Sequence, residues 1–283
     1  MPPRKPPIDP SFETGDRQVF NNKLKQIVES GEWNYLPEQQ LDENFAEWKT
    51  VADSIELTDE ERSWAQTRIR ELVLEHVANQ DYVPNTISKG VITTKKYRQD
   101  NPDDFQTSPH SQSEYEDTLG LSDTVSMSFS GHSPLRQTGA RAVFTFPAGE
   151  ILTKKDSLVY PFDMPFFTLN MSLSDRVAQS QAAALRGTDY IELLPYYLVQ
   201  EKRGGHASDL YPDWTKGEYF KPKSFQLAEV RSRGNIDLNS IFWMLEADTR
   251  YRDVNEMLSK IDPSILTEHF IDTDPANYNL FDE

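Results

Sequence analysis

Near residue 84 the apolar residues stop recurring at helical spacing and begin to alternate, and near residue 236 the helical spacing returns. That double change of period constrains the fold more than any other feature. In the middle, Val125, Met127 and Phe129 alternate with Ser126, Ser128 and Ser130, so a strand there has one apolar and one polar face. A chain with helical ends and a strand-rich middle reads as α+β, with the sheet mostly antiparallel because a single inserted helix cannot cross over every strand pair.

At the N-terminal end, Phe20, Leu24, Ile27 and Val28 lie on one helical stripe, with Asp16 as N-cap and Gly31 as stop. Leu41, Phe45, Trp48 and Ala52 mark a second helix over about 38–52. Thr58 and Glu61 have the spacing of a capping box, in which a hydroxyl and a carboxylate three residues apart satisfy each other's amides. The helix that follows takes Ala65, Ile69, Leu72, Val73 and Val77 as its buried face and carries His76. Strands are expected at 91–98, 141–146, 166–173, 190–200 and 224–231, with Pro195 placing the fourth at an edge or bulge. The inserted helix spans Ser174 to Leu185, stopped by Gly187. From Asp237 onward, Leu238, Ile241, Phe242 and Leu245, then Val254, Met257, Leu258 and Ile261, follow helical spacing, with a turn after Pro263. The expected division is a Pro-rich arm 1–15, an acidic helical region 16–84, a β-rich domain 85–235 with a polar loop 99–123, C-terminal helices 236–271 and an acidic tail 272–283.

Charge is unevenly placed. The 283 residues carry 46 acidic and 29 basic side chains, a net of −17. Residues 1–84 hold 17 acidic and 9 basic, residues 85–235 hold 18 and 17, and residues 236–283 hold 11 and 3. The acidity is therefore terminal, and the middle carries short basic clusters: Lys95, Lys96 and Arg98; Lys154 and Lys155; Lys202 and Arg203; Lys221 and Lys223; Arg231 and Arg233. Lys95, Lys96, Arg98, Lys202, Arg203, Arg231 and Arg233 are the candidate contacts for an anionic partner or nucleic acid. Gly204 and Gly205 after Lys202 and Arg203 suggest a flexible basic tip.

Few motifs carry chemistry. The absence of cysteine removes disulfides, thiolate metal sites and thiol nucleophiles. Neither a glycine-rich phosphate cradle nor a nucleophile elbow is present. The histidines His76, His110, His132, His206 and His269 are scattered singly; His132 and His206, in polar glycine-containing stretches, are the two that could serve as a loop base. No catalytic residue, metal ligand or cofactor is assigned. No apolar segment has signal-peptide or membrane-spanning form, which points to the cytosol or a virion.

The C-terminal stretch combines Asp272, Asp274, Asp282 and Glu283 with Tyr278, Leu280 and Phe281. Leu280 and Phe281 would fill an apolar pocket while Asp282 and Glu283 meet basic residues around it, making Tyr278 to Glu283 a portable partner-binding peptide. The tail is similar in kind to the acidic tails with a terminal aromatic of single-strand DNA-binding proteins from bacteria and phages, a resemblance confined to residues 272–283. Taken together, the sequence points to a non-enzymatic interaction or assembly protein of the structural or accessory kind found in viruses and phages. Its arms and helical ends would make the contacts, with a protein partner or self-assembly. The alternatives are a single-stranded nucleic-acid-binding protein and an enzyme without a recognisable motif.

Overall fold

The structure is a computed structural model that describes residues 38–101, 121–130, 142–161, 180–212 and 224–273. The expected helix at 16–31, the strand at 166–173, most of the loop 99–123, His110, His132 and the tail residues Tyr278, Leu280, Phe281, Asp282 and Glu283 lie outside the described residues.

Helix α1 (Glu38–Ala52) buries Leu41, Asn44, Trp48 and Ala52, close to the stripe read from the sequence. Helix α2 (Asp59–Arg70) opens on the expected capping box: Glu61 N–H donates to Thr58 Oγ1 at 3.2 Å and Thr58 N–H to Glu61 Oε2 at 2.9 Å. It stops at Arg70, and strand β1 (Val73–Val77) follows. Val73, Val77 and His76 therefore belong to a strand and not to the helix expected there. β-branched residues at both ends of Val-Leu-Glu-His-Val favour the pleated backbone.

After α3 (Val83–Lys89) comes strand β2 (Val91–Ile92), only two residues long. The strand expected over 91–98 ends there because Thr94 caps a helix, α4 (Lys95–Asp100), its Oγ1 accepting from Tyr97 N–H at 3.1 Å. Strand β3 (Thr124–Phe129) has the expected alternation, with Val125, Met127 and Phe129 buried. Strand β4 (Ala142–Pro147), helix α5 (Ala148–Leu152), strand β5 (Ser157–Tyr160) and strand β6 (Leu185–Arg186) lead to the longest helix, α6 (Gly187–Lys202).

Helix α6 replaces the strand expected at 190–200, and Gly187 begins a helix where a stop was expected. Tyr190, Leu193, Leu194 and Tyr197 are all buried, and their spacing of three, four and seven suits a helix lying on a sheet. Pro195 removes one helical hydrogen bond but leaves that face intact. Strand β7 (Glu229–Arg233) is preceded by a short 3-10 turn, and β8 (Ile236–Asp237) pairs with β2. The helix expected from Asp237 to Leu245 is absent. The Asp237 carboxylate accepts from Asn239 N–H at 2.9 Å, forming a turn, and the chain then extends as β9 (Met244–Ala247). Trp243, Leu245 and Ala247 are buried in alternation while Phe242 is 57% exposed, so the period there is two. Helices α7 (Arg252–Leu258) and α8 (Pro263–His269) and strand β10 (Phe270–Asp272) close the described chain.

Eight strands form one sheet in the order β10-β9-β4-β1-β3-β7-β5-β6, antiparallel throughout except for the parallel pair β9 and β10. The chain is therefore α+β. One sheet face carries Leu74, Phe129, Phe144, Phe146, Val230 and Val159, and the aromatic side of α6 packs over it: the Phe129 and Tyr190 rings lie 6.3 Å apart. Trp48 of α1 meets Tyr211 edge-on at 4.8 Å, and Tyr211 meets Tyr197 at 5.4 Å. The buried phenols of Tyr190 and Tyr211 donate to the main-chain oxygens of Phe225 and Pro161 at 3.1 and 2.9 Å.

Both ends of α6 depend on glycine. Gly205 N–H donates to Gln200 O and Gly204 N–H to Glu201 O, a Schellman closure that needs the left-handed φ of +84° at Gly204. At the start, a Cβ on Gly187 would lie 2.2 Å from the Leu152 main-chain oxygen. Gly204→Ala should cost about 1 kcal/mol of unfolding free energy, because no described atom lies within 4 Å of the new methyl group and only backbone strain is added. Gly187→Ala should cost more, since backbone must move; denaturant midpoints of the two variants check the order.

Candidate functional site

Pairing register decides which side chains share the second face of the sheet, because residues directly opposite one another point the same way. Glu75 faces Ser128, Ser128 faces Glu229, Ser126 faces Arg231 and Thr124 faces Arg233. The middle of β1, β3 and β7 therefore bears charges and hydroxyls where the opposite face bears Leu74, Val125, Met127 and Phe129. This polar column is not open to water: Glu75 is 1% exposed, Arg231 4% and Glu229 8%.

Its groups are connected. Arg231 Nη2 meets Glu229 Oε1 at 2.5 Å, and Ser126 Oγ donates to the same oxygen at 2.9 Å. The ladder between β1 and β3 is short, only Leu74 with Phe129 and Glu75 with Ser128. Just beyond it, His76 Nδ1 lies 2.9 Å from Ser126 O. A carbonyl only accepts, so Nδ1 carries the proton, and the imidazole continues the ladder that the backbone has left. Burial drives the His76 pKa down to about 4, with the nearby Arg98 and Arg231 charges adding to the fall against the opposing Ser126 bond. His76 is a neutral strut at ordinary pH, held between two strands.

The seven basic candidates divide between the two sides of the sheet. Lys95, at the start of α4, is buried; Lys96 is exposed; Arg98 Nη1 donates to Thr93 O at 2.6 Å. Thr94 N–H, at the cap of α4, donates to Asn235 Oδ1 at 2.9 Å, which brings the start of α4 beside the end of β7. Lys202 and Arg203 lie in the helical layer on the other side. Lys202 Nζ sits 4.2 Å from the Trp64 ring centre, and the Arg203 guanidinium holds both oxygens of Glu61 at 2.9 and 2.7 Å and Glu56 O at 2.9 Å. That guanidinium, with the Thr58 amide, lowers the Glu61 pKa to about 2. The flexible basic tip expected at 202–205 is thus the closed C-terminus of α6, joined to α2, and the arginine expected to meet an anion at 231 is buried on a carboxylate.

The other two described histidines each hold a local contact. His206 N–H donates to Asp209 Oδ2 at 2.9 Å, capping a short turn. His269 stacks on Trp243 with ring centres 4.3 Å apart, its Nδ1 3.0 Å from Trp243 O. Among the described residues no three His, Asp or Glu side chains gather as a metal site, and no helix is long and apolar enough to cross a membrane.

The feature that sequence reasoning missed is the far edge of the sheet. At the β6 edge, Asn44 Nδ2 of α1 donates to Gln181 O and Ala184 O at 2.6 and 2.8 Å, and Arg186 meets Glu38, Asp42 and Asp189, so α1 covers that edge. At the β10 edge no further described strand pairs. Thr249 pins β10 from inside the sheet, its Oγ1 donating to Asp272 at 2.6 Å. On this strand Ile271 is 37% exposed, and in the sequence Phe242 (57% exposed) and Tyr251 (38%) stand before and after β9, to which it pairs. Period-two burial at 243, 245 and 247 was the available signal, and the helical spacing of Leu238, Ile241 and Leu245 hid it.

Comparison with known protein families and with curated proteins finds no match.

Two tests follow from the Glu229–Arg231 pair and from His76. Arg231→Met should cost about 3–5 kcal/mol, because Glu229 is left buried without its counter-charge, whereas Arg231→Met with Glu229→Gln should recover most of the loss; chemical unfolding of the three proteins measures the cycle. An unfolded histidine protonates near 6.5, while folded His76 stays neutral down to about 4. Its contribution to stability is therefore complete above 6.5 and is lost as pH falls from there toward 4. The drop in unfolding midpoint between about pH 7 and about pH 5 should be smaller in His76→Gln.

Proposed function

We propose that the chain is a non-enzymatic interaction protein whose docking surface is the β10 edge of its sheet, where a partner adds a strand. The observation that carries this reading is the contrast between the two edges. One is covered by α1 through paired hydrogen bonds and ion pairs. The other ends in β10, to which no further described strand pairs and whose Ile271 is 37% exposed. An exposed strand edge offers unpaired amides and carbonyls, and folded proteins ordinarily blunt it with charge, proline or a covering element. Here the middle residue of β10 is isoleucine. Strand addition obtains its affinity from main-chain bonds and its selectivity from the flanking apolar side chains.

The nucleic-acid reading gains less support from the geometry. Arg231 faces Glu229, Arg203 faces Glu61, and the basic groups are divided between opposite sides of the sheet. A phosphate backbone needs them along one groove.

Affinity capture from the native source, with full-length wild-type and Ile271→Lys proteins, tests the proposal. The expected result is a stable partner kept by the wild type, lost by the variant, and accompanied by slowed amide exchange across 270–273. A monomer that retains no partner, or a partner kept equally by both proteins, overturns it.

A further inference from the structure

We infer that helix α8 and strand β10, residues 262–273, form a strap that opens from β9 as a unit while the rest of the sheet stays folded. The inference does not depend on the partner proposed above. Burial marks where the strap begins. Val254 and Met257 of α7 are buried, and Ile261 after them is 6% exposed. From Asp262 to Thr273 every position is exposed or half-buried, six of each. Ile265, Leu266 and Phe270 rest against the core by only part of their surface. By contrast α6 buries eight of its sixteen residues and β4 five of its six. Local stability follows the apolar contact that each part makes, so the part that buries least opens first.

The strap is closed by few contacts, and all of them reach residues 243–249. β10 pairs with β9 through three residues, Phe270 with Leu245, Ile271 with Glu246 and Asp272 with Ala247. The pairing is parallel, slightly weaker per residue than the antiparallel pairing of the other strands. At its start His269 stacks on Trp243 with ring centres 4.3 Å apart, its Nδ1 3.0 Å from Trp243 O. At its end Thr249 Oγ1 and N–H donate to the Asp272 carboxylate at 2.6 and 3.3 Å, and Thr273 N–H donates to Ala247 O at 2.9 Å. Opening therefore unstacks Trp243 and frees the main-chain groups of β9. A ligand of β10 holds the strap shut and a ligand of β9 holds it open, so this equilibrium decides which of two edges the sheet offers.

Native-state amide exchange of the full-length protein, over a series of urea concentrations below the unfolding transition, tests the strap. Amides 271–273 should exchange through an opening that depends on urea far less than the opening that exposes 143–146 of β4, because little surface is uncovered. Thr249→Val removes the hydroxyl bond to the Asp272 charge, and should speed exchange at 271–273 about tenfold while leaving 143–146 unchanged. His269→Ala, which removes the ring stack, should act in the same direction. If 271–273 share the urea dependence of 143–146, strap and sheet open as one and the inference is overturned. Exchange at 271–273 as fast as in an unstructured peptide overturns it too, since no closed state is then held, as does equal acceleration of both sets by Thr249→Val. Should either variant fail to fold, the wild-type urea series decides alone.

Discussion

The packing of α6 on the apolar face of the sheet is the contact around which the other described elements are arranged. Tyr190, Leu193, Leu194 and Tyr197 face inward together, and α1, α2 and α5 reach the core by touching α6. The aromatic chain from Phe129 through Tyr190 and Tyr197 to Tyr211 and Trp48 runs from sheet to helix to helix. Both ends of α6 are fixed by glycine and by ions: Arg186, just before it, binds α1, and Arg203, just after it, binds α2. A helix secured in this way serves as a frame, and the exposed ion pairs at its ends add orientation more than energy, since each such pair is worth at most about 1 kcal/mol.

The opposite face solves a harder problem. A sheet centre that buries glutamate and arginine must satisfy them internally, since an isolated charge in that position is many times costlier than a lost methyl group. The register contributes by placing Glu229 and Arg231 two residues apart on one strand, hence on one face, with Ser126 opposite Arg231 as a second donor to Glu229 Oε1. His76 stays neutral and bridges the gap where β1 leaves β3. Side chains thus tie three strands: His76 joins β1 to β3, where only two residue pairs are in register, and Ser126 joins β3 to β7. Such a network specifies register, because a slip of one residue would send Arg231 to the aromatic side and Val230 to the polar one.

Much of this was legible in the sequence where period and cap agreed. The stripe of α1, the capping box of Thr58 and Glu61 and the serine alternation of β3 each rest on two local signals that point the same way. Failures came where one composition suits two periods. Tyr190 to Val199 is rich in aromatics and branched residues, which favour strands, yet its buried positions follow helical spacing. Thr93 and Thr94 look like strand residues, and Thr94 instead caps a helix. The basic clusters were visible as charge, but their use was not: Arg203 pairs with Glu61, 142 residues away, and Arg231 meets Glu229 because both lie on one strand with their side chains on one face. Tertiary pairing decides whether a positive charge is a surface or a strut.

The two sheet edges carry that lesson into function. Covering an edge requires a helix with donors at the right height, and α1 supplies them through Asn44 and, with its acidic first turn, through Arg186. No comparable element lies along β10 among the described residues; the chain arrives there from α8 and continues directly into its acidic end. Interior bonds to Thr249 and Ala247 hold β10 in place against β9 without shielding its outer side. A strand held firmly from within has already lost most of the conformational freedom that binding would otherwise have to remove. On the strand-addition proposal the partner strand would then bear nearly all of the ordering cost, which favours a segment whose β-branched residues are already stiff.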